Sequence, residues 1–321
     1  MTALAFSPSL HAAGLLLAAN KGDQSLSIID PVAGSQLAAV PEDGITGHEV
    51  AASPDGKRAF VPIYGNAGVG HAGTDGSLIR VIDIASRKVT DTIDFGHGVR
   101  PHCAVFGPKN GMLYVTTELE RAVTIIDPDT LRIVGAISTG QPESHMLAIS
   151  SDGWRGYTAN VGPGTVSVLD LRAKKLVAII PVCRTTQRIA LSIDDRWAFT
   201  SDQAEPRLAA IDTARKEVTD WIALPGTGYG AAATPDGRWL LIAIPKEMKV
   251  AVVDLQSMKV ARSIAVPRAP QEMLVRPDGM EAYVSCDLSK QVAVIDLKNW
   301  TVTKLINAGP VVDGLAWAKA P

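Results

Sequence analysis

The chain has 321 residues, 46% of them hydrophobic, and a formal net charge of -2. That is ample apolar material for a large core, and the absence of any Lys/Arg block argues against a broad nucleic-acid or anionic-membrane surface. No apolar run reaches the ~20 residues of a membrane helix, so no membrane span is expected.

The opening segment, Met1 to Ala13, is apolar and small, with Leu10-His11-Ala12-Ala13 near its end. It has the features of the apolar region and cleavage site of a secretory signal, but no Lys or Arg precedes it. Two readings stand: a shortened export signal, or an innermost strand at Ala3-Leu4-Ala5-Phe6-Ser7 that matches Leu315-Ala316-Trp317-Ala318. The first places the protein in the periplasm or outside the cell, and the cytoplasm stays open. Cys103, Cys183 and Cys286 lack metal-type spacing and read as buried thiols.

From Gly14 a unit of four short strands repeats. Its third strand ends on an Asp: Asp30, Asp83, Asp127, Asp170, Asp212, Asp254 and Asp296, at steps of 53, 44, 43, 42, 42 and 42. The second copy opens with Val50-Ala51-Ala52 and the turn Ser53-Pro54-Asp55-Gly56. The third has the turn Gly107-Pro108-Lys109-Asn110-Gly111 and the strand Leu113-Tyr114-Val115-Thr116. The fourth turns at Ser151-Asp152-Gly153, the sixth at Thr234-Pro235-Asp236-Gly237 and the seventh at Arg276-Pro277-Asp278-Gly279. Pro presets φ in such turns and Gly accepts positive φ. An alternating fourth strand is clearest at Val260 to Val266 in the sixth copy. The recurring Asp side chains are expected to accept backbone N–H groups at turns. Gly314-Leu315-Ala316-Trp317 is one more first strand with no copy after it, so it completes the first.

Four-stranded units of this kind bury their faces only against neighbours and close into a ring. The expectation is an all-β, seven-bladed β-propeller over residues 14–321, closed by the C-terminal strand. Tyr114-Val115-Thr116-Thr117, Tyr157-Thr158-Ala159-Asn160 and Tyr283-Val284-Ser285-Cys286, with the turns before and the Asp steps after, resemble the YVTN-repeat β-propellers. The resemblance implies the fold and is similar in implying export; it implies no particular activity.

Aligning the copies on their turns picks out the residue entering each innermost strand: His48, His102, His145, Gln187, Tyr229, Gln271 and Asp313, at steps of 54, 43, 42, 42, 42 and 42. In a propeller these positions ring one mouth of the central channel. Three consecutive copies supply His, although the chain has only six. His48, His102 and His145, with Asp313 or Gln187 beside them, are candidate ligands for one transition metal ion (Zn, Mn, Fe, Cu or Ni). Alternatively they are hydrogen-bonded channel lining. Tyr229 is a candidate for moving a proton. Arg100 or Arg188 could grip an anionic substrate, or pair with a neighbouring acid.

The loop after each second strand opens on the same face, starting at Asn20, Tyr64, Glu118, Asn160, Asp202, Pro245 and Asp287. In the second copy it is extended from Tyr64 to Gly76, and could fold over the mouth with His71 and Asp75 inward or form a plain surface excursion. His97 shares this rim, and Glu272, like Arg188, follows a ring residue. No GxSxG or HExxH is present. Trp154, Trp197, Trp239 and Trp317 are expected to pack in the core. Two functions compete: a metal-dependent lyase or hydrolase acting on a small anion, or a non-catalytic exported propeller that binds a small molecule, a metal ion or a protein partner.

Overall fold

The computed structural model describes residues 14–320, and these form seven antiparallel four-stranded sheets. Each sheet is one repeat. Blade 3, for example, runs through Pro101–Phe106, Leu113–Thr117, Ala122–Asp127 and Arg132–Ser138. Residues 1–13, where an export signal or a strand was expected, lie outside the described residues. The chain is therefore the expected all-β, seven-bladed propeller. Its only helical pieces among the described residues are two single 3-10 turns, Pro245–Glu247 and Asp287–Ser289, and no helix there is long and apolar enough to cross a membrane.

Six blades take their strands in chain order. Blade 1 instead joins Val312–Lys319 to Gly14–Asn20, Ser25–Asp30 and Ser35–Pro41. Leu16 pairs with Trp317 and Leu17 with Ala316. The ring thus closes without an exposed inner edge.

The middle strands are buried on both faces, so they read as unbroken apolar runs; Leu240 to Ile244 is wholly inaccessible. The outermost strand of every blade buries only its penultimate residue fully: Val40, Ile93, Ile137, Ile180, Ile222, Ile264 and Ile306. Packing crosses blade boundaries. Leu17, Ile28 and Val40 of blade 1 pack with Val50, Val61 and Ile82 of blade 2, which is why one copy could not bury its faces alone.

The repeated turns behave as their residues dictate. At Gly56, φ is +73° and its N–H donates to the Ser53 carbonyl. All seven step Asp carboxylates accept backbone N–H groups from the next turn, such as those of Val32 and Ala33 at Asp30 or Lys298 and Asn299 at Asp296. Trp197, Trp239 and Trp317 are half-buried and pack against core clusters as expected. Trp154 departs from expectation: it is 44% exposed, with the Arg172 guanidinium 5.0 Å above its ring. Cation–π contact suits a ring left at a blade edge.

Candidate functional site

The chain enters the channel through a repeated device. Two residues before the ring position, Thr46, Arg100, Glu143, Ala269 and Val311 adopt left-handed φ of 57°, 50°, 55°, 54° and 55°. Each costs about 1–2 kcal/mol for a non-glycine residue, and each redirects the backbone. In blades 3, 4 and 7 the inner strand then bulges across His102, His145 and Gln271. A bulge breaks the usual alternation of side chains. Backbone groups it frees are recovered by the second strand: Cys103 N–H donates to Thr116 Oγ1 at 2.9 Å, and Glu272 N–H to Ser285 Oγ at 2.9 Å.

The result is a cavity of about 150 Å³ at the channel mouth. Its lining comes from six blades: Lys21 and Asp313, His48 and Tyr64, His102, His145, Gln187 and Arg188, and Tyr229. The ring positions of the sequence thus converge, except that Gln271 does not line the cavity. Gln187 Nε2 donates to Tyr229 Oη at 2.9 Å.

One residue further along the strands lies a second layer, and Arg188 dominates it. Its guanidinium is 4.7 Å above the Tyr229 ring and donates to Glu49, to Glu272 (2.6 Å) and to Asp313 (2.9 Å). It also approaches Met146 Sδ at 3.4 Å. It therefore ties blade 5 to blades 1, 2, 4, 6 and 7 and forms a floor for the cavity. Gly314 makes room for this: a Cβ there would lie 2.6 Å from Glu49 Oε2. Lys21 Nζ pairs with the other Asp313 oxygen at 2.8 Å.

Burial sets the protonation of these groups. It raises the Glu49 and Glu272 carboxyls above their usual values against the pull of Arg188. Burial also works against the Asp313 charge, but Arg188 and Lys21 more than offset it and hold that carboxyl low. The His48 imidazole is lowered to about 4 by burial and by Lys21. His102 is lowered further by burial and by His145, and His145 by burial and Arg188. Burial raises Tyr229, keeping its hydroxyl protonated.

The three imidazoles pack against one another instead of splaying around a common point. Among the described residues, no group of three or more His, Cys, Asp or Glu side chains has an arrangement that could hold a metal ion. The His102 and His145 rings lie face against face at a tilt of 33°, with centroids 3.5 Å apart, whereas two imidazoles on a tetrahedral ion would hold theirs about 5 Å apart. Metal-bound His almost always donates its other ring N–H to an acceptor; the buried Nδ1 atoms of His102 and His145 have no partner among the described residues. Asp313, the expected carboxylate ligand, is spent on Arg188 and Lys21, and Gln187 on Tyr229.

Arg100 is not part of the cavity wall. It donates to Asp75 (2.6 Å), Glu118 (3.1 Å) and the His71 carbonyl (2.7 Å). Glu118 in turn accepts from the Tyr64 hydroxyl and the Gly70 N–H. This network pins the blade 2 insertion, which does reach the mouth, but through Ala67, Gly68 and Val69. His71 and Asp75, expected to face inward, are exposed. His97 is exposed and pairs with Glu120 at 3.3 Å. Of the other loop-start residues, Asn20 and Asn160 are buried and bond neighbouring hydroxyls, and Asp202 binds its own turn and Arg207.

Sequence reasoning missed Lys21 and Glu49. The period could have flagged Glu49, which occupies the same position in its copy as Arg188 and Glu272. Lys21 follows the loop-start residue Asn20 and carried no signal beyond that.

No protein-family model matches the sequence, that of the YVTN repeats included, and no curated protein matches it. Among solved structures, the chain is similar to Kuenenia stuttgartiensis hydrazine synthase, with 18% identity, a TM-score of 0.74, and coverage of 92% of this chain and 98% of that one. At that identity the likeness is one of fold alone.

Proposed function

We propose that this propeller is a binding protein that holds a molecule of a few heavy atoms in the cup at its channel mouth. The observation that carries this is the cavity of about 150 Å³ lined by polar side chains from six blades and floored by Arg188. At ~30 Å³ per water, the cup has room for about five waters. It is smaller and more polar than a pocket for a drug-sized molecule, so it suits a small ligand recognised through hydrogen bonds. The apolar Met1–Ala13 segment supports export, so that the ligand would be met in the periplasm or outside the cell.

Recognition is better supported than catalysis. Tyr229 stays protonated, the two terminal nitrogens of Arg188 are held by carboxylates, and Arg100 braces a loop. None is poised as a base or as a free anion clamp.

The test is a thermal-denaturation screen of small polar molecules and metal salts against the protein and a Val69→Trp variant, in which the indole fills the cup from the loop side. Hits that raise the melting temperature of the protein and vanish in the variant are expected. A protein stabilised by no compound, or hits that survive in the variant, would rule the cup out as the binding site. A metal hit lost on His102→Phe would restore the metal reading.

A further inference from the structure

We infer that the ligand of this cup is a small oxyanion, such as a short-chain carboxylate, held by Lys21, Tyr229 and the ring N–H groups of His102 and His145. This rests on the binding reading above and gives it a chemical class.

The argument is an inventory of free hydrogen-bonding groups. His102 and His145 line the cavity, while their Nδ1 atoms are buried without a partner. A buried orphan N–H is rarer in proteins than an orphan acceptor. The favoured tautomer therefore leaves a bare lone pair on Nδ1 and puts the proton on Nε2, the nitrogen left to face the cavity. Both rings are 3% exposed or less, so burial keeps each of them neutral but still a donor.

Lys21 contributes more. One of its three N–H bonds goes to Asp313, leaving two for a ligand. The Tyr229 oxygen accepts from Gln187, which frees its O–H to donate. Beneath them, Arg188 Nε is buried and has no acceptor among the described residues. The charged acceptor is already engaged: both Asp313 oxygens are taken by Arg188 and Lys21, which leaves only neutral acceptors, Gln187 Oε1 and one nitrogen of the neutral His48 ring. A lining whose donors outnumber its acceptors, and whose carboxylate is occupied, suits a ligand made of acceptors. Hydrogen bonds to a charged acceptor are also roughly twice as strong as neutral ones. Charge balance agrees. Arg188 and Lys21 carry two positive charges among the carboxyls of Glu49, Glu272 and Asp313, and with both glutamates protonated, the form that burial favours, one bound anion brings the cluster to neutrality.

The size of the cup and its donors specify the experiment. Calorimetric titration of the full-length protein in low-chloride buffer compares formate and acetate with the neutral isostere acetamide and the oversized anion citrate. Formate or acetate should bind, and acetamide and citrate should not. Lys21→Met should weaken binding about 10- to 100-fold and Tyr229→Phe about 3- to 10-fold; Lys57→Met, on the opposite face, should change nothing. The melting temperature of each variant without ligand verifies its fold, and Tyr229→Phe removes one hydroxyl only, should Lys21→Met fail to fold. Acetamide binding as tightly as acetate would overturn the anion while leaving the cup a binding site. Anion binding indifferent to both Lys21→Met and Tyr229→Phe would overturn the assignment of donors. Binding of none of the four, in a protein that other compounds stabilise through the cup, would overturn the inference alone; with no stabilising compound at all, the binding reading falls too.

Discussion

The imidazole of His102 lies against that of His145, centroids 3.5 Å apart and planes tilted by 33°. Two such rings cannot both become imidazolium, and burial already disfavours even one positive charge there. In ¹H–¹⁵N spectra that detect imidazole nitrogens, neither ring should titrate between pH 5 and 8. His48, lowered to about 4, should begin to titrate only toward the acid end. A midpoint near 6.5 for His102 or His145 would contradict the packing.

The same shifts have a consequence for stability. A histidine lowered in the folded state binds its proton less tightly there than in the unfolded chain. Between the folded and unfolded values the unfolded state holds more protons, so stability falls as pH drops below about 6.5, with a limiting slope of about 1.4 kcal/mol per pH unit for each group. Glu49 acts in the opposite sense: raised by burial, it favours the folded state while protonated, and stability is lost as pH rises above the ordinary glutamate range. Glu42, raised to about 7 by burial, adds to that loss. The two sets oppose each other in mildly acid solution, and above about pH 6.5 only the glutamates remain. Urea denaturation should show a decline from pH 6.5 to 8 that Glu49→Gln reduces.

Arg188 holds three carboxylates from three other blades. Arg188→Leu leaves them facing one another in a buried layer, and breaking a buried ion pair in this way costs about 3–5 kcal/mol. Chemical denaturation should register that loss, and adding Glu49→Gln and Glu272→Gln to the variant should recover much of it. If Arg188→Leu costs nothing, the cluster does not form.

Gly314→Ala tests the same layer from the other side. The added methyl would sit 2.6 Å from both Glu49 Cα and Oε2 and 2.7 Å from the His48 carbonyl. Overpacking of this kind costs about 1–3 kcal/mol. The melting temperature should drop, and the His48 ring resonances should move.

Removing Arg100 should loosen the loop and spare the blades. Arg100→Gln loses the pairs to Asp75 and Glu118 that fix the segment from Gly65 to Gly76. Limited proteolysis should then cut within this segment first, in a protein whose strand content by circular dichroism is unchanged. Cleavage elsewhere would show that the network supports more than the loop.

Much of this architecture is legible in the chain because it repeats. The Asp steps locate each third strand, the Pro-Asp-Gly turns phase the copies, and that phase alone finds the ring from His48 to Asp313. What does not repeat is harder to read. Position 188 is Arg, and the matching positions carry Glu49, Cys103, Met146, Gly230, Glu272 and Gly314. That these differences interlock depends on the reach of one guanidinium across the axis, which periodicity does not encode. The histidine cluster is hard to read for a related reason. Residue type suggests metal ligands, but ligand geometry needs splayed rings and acceptors behind them, and both depend on bulges and left-handed residues with no composition signature.

The pairing of Gly14–Asn20 with Val312–Lys319 also joins the two ends of the described chain. During synthesis the first of these strands is made six blades before its partner among the described residues. Only when the second strand arrives can the circle lock, so its final step is a contact between the most distant parts of the described chain. Folds governed by such long-range contacts form slowly, and the edge that the second strand covers is where a stray strand from another chain would add. Whatever shields that edge in the cell protects the whole molecule, since one unmatched strand leaves every blade in an unclosed arc.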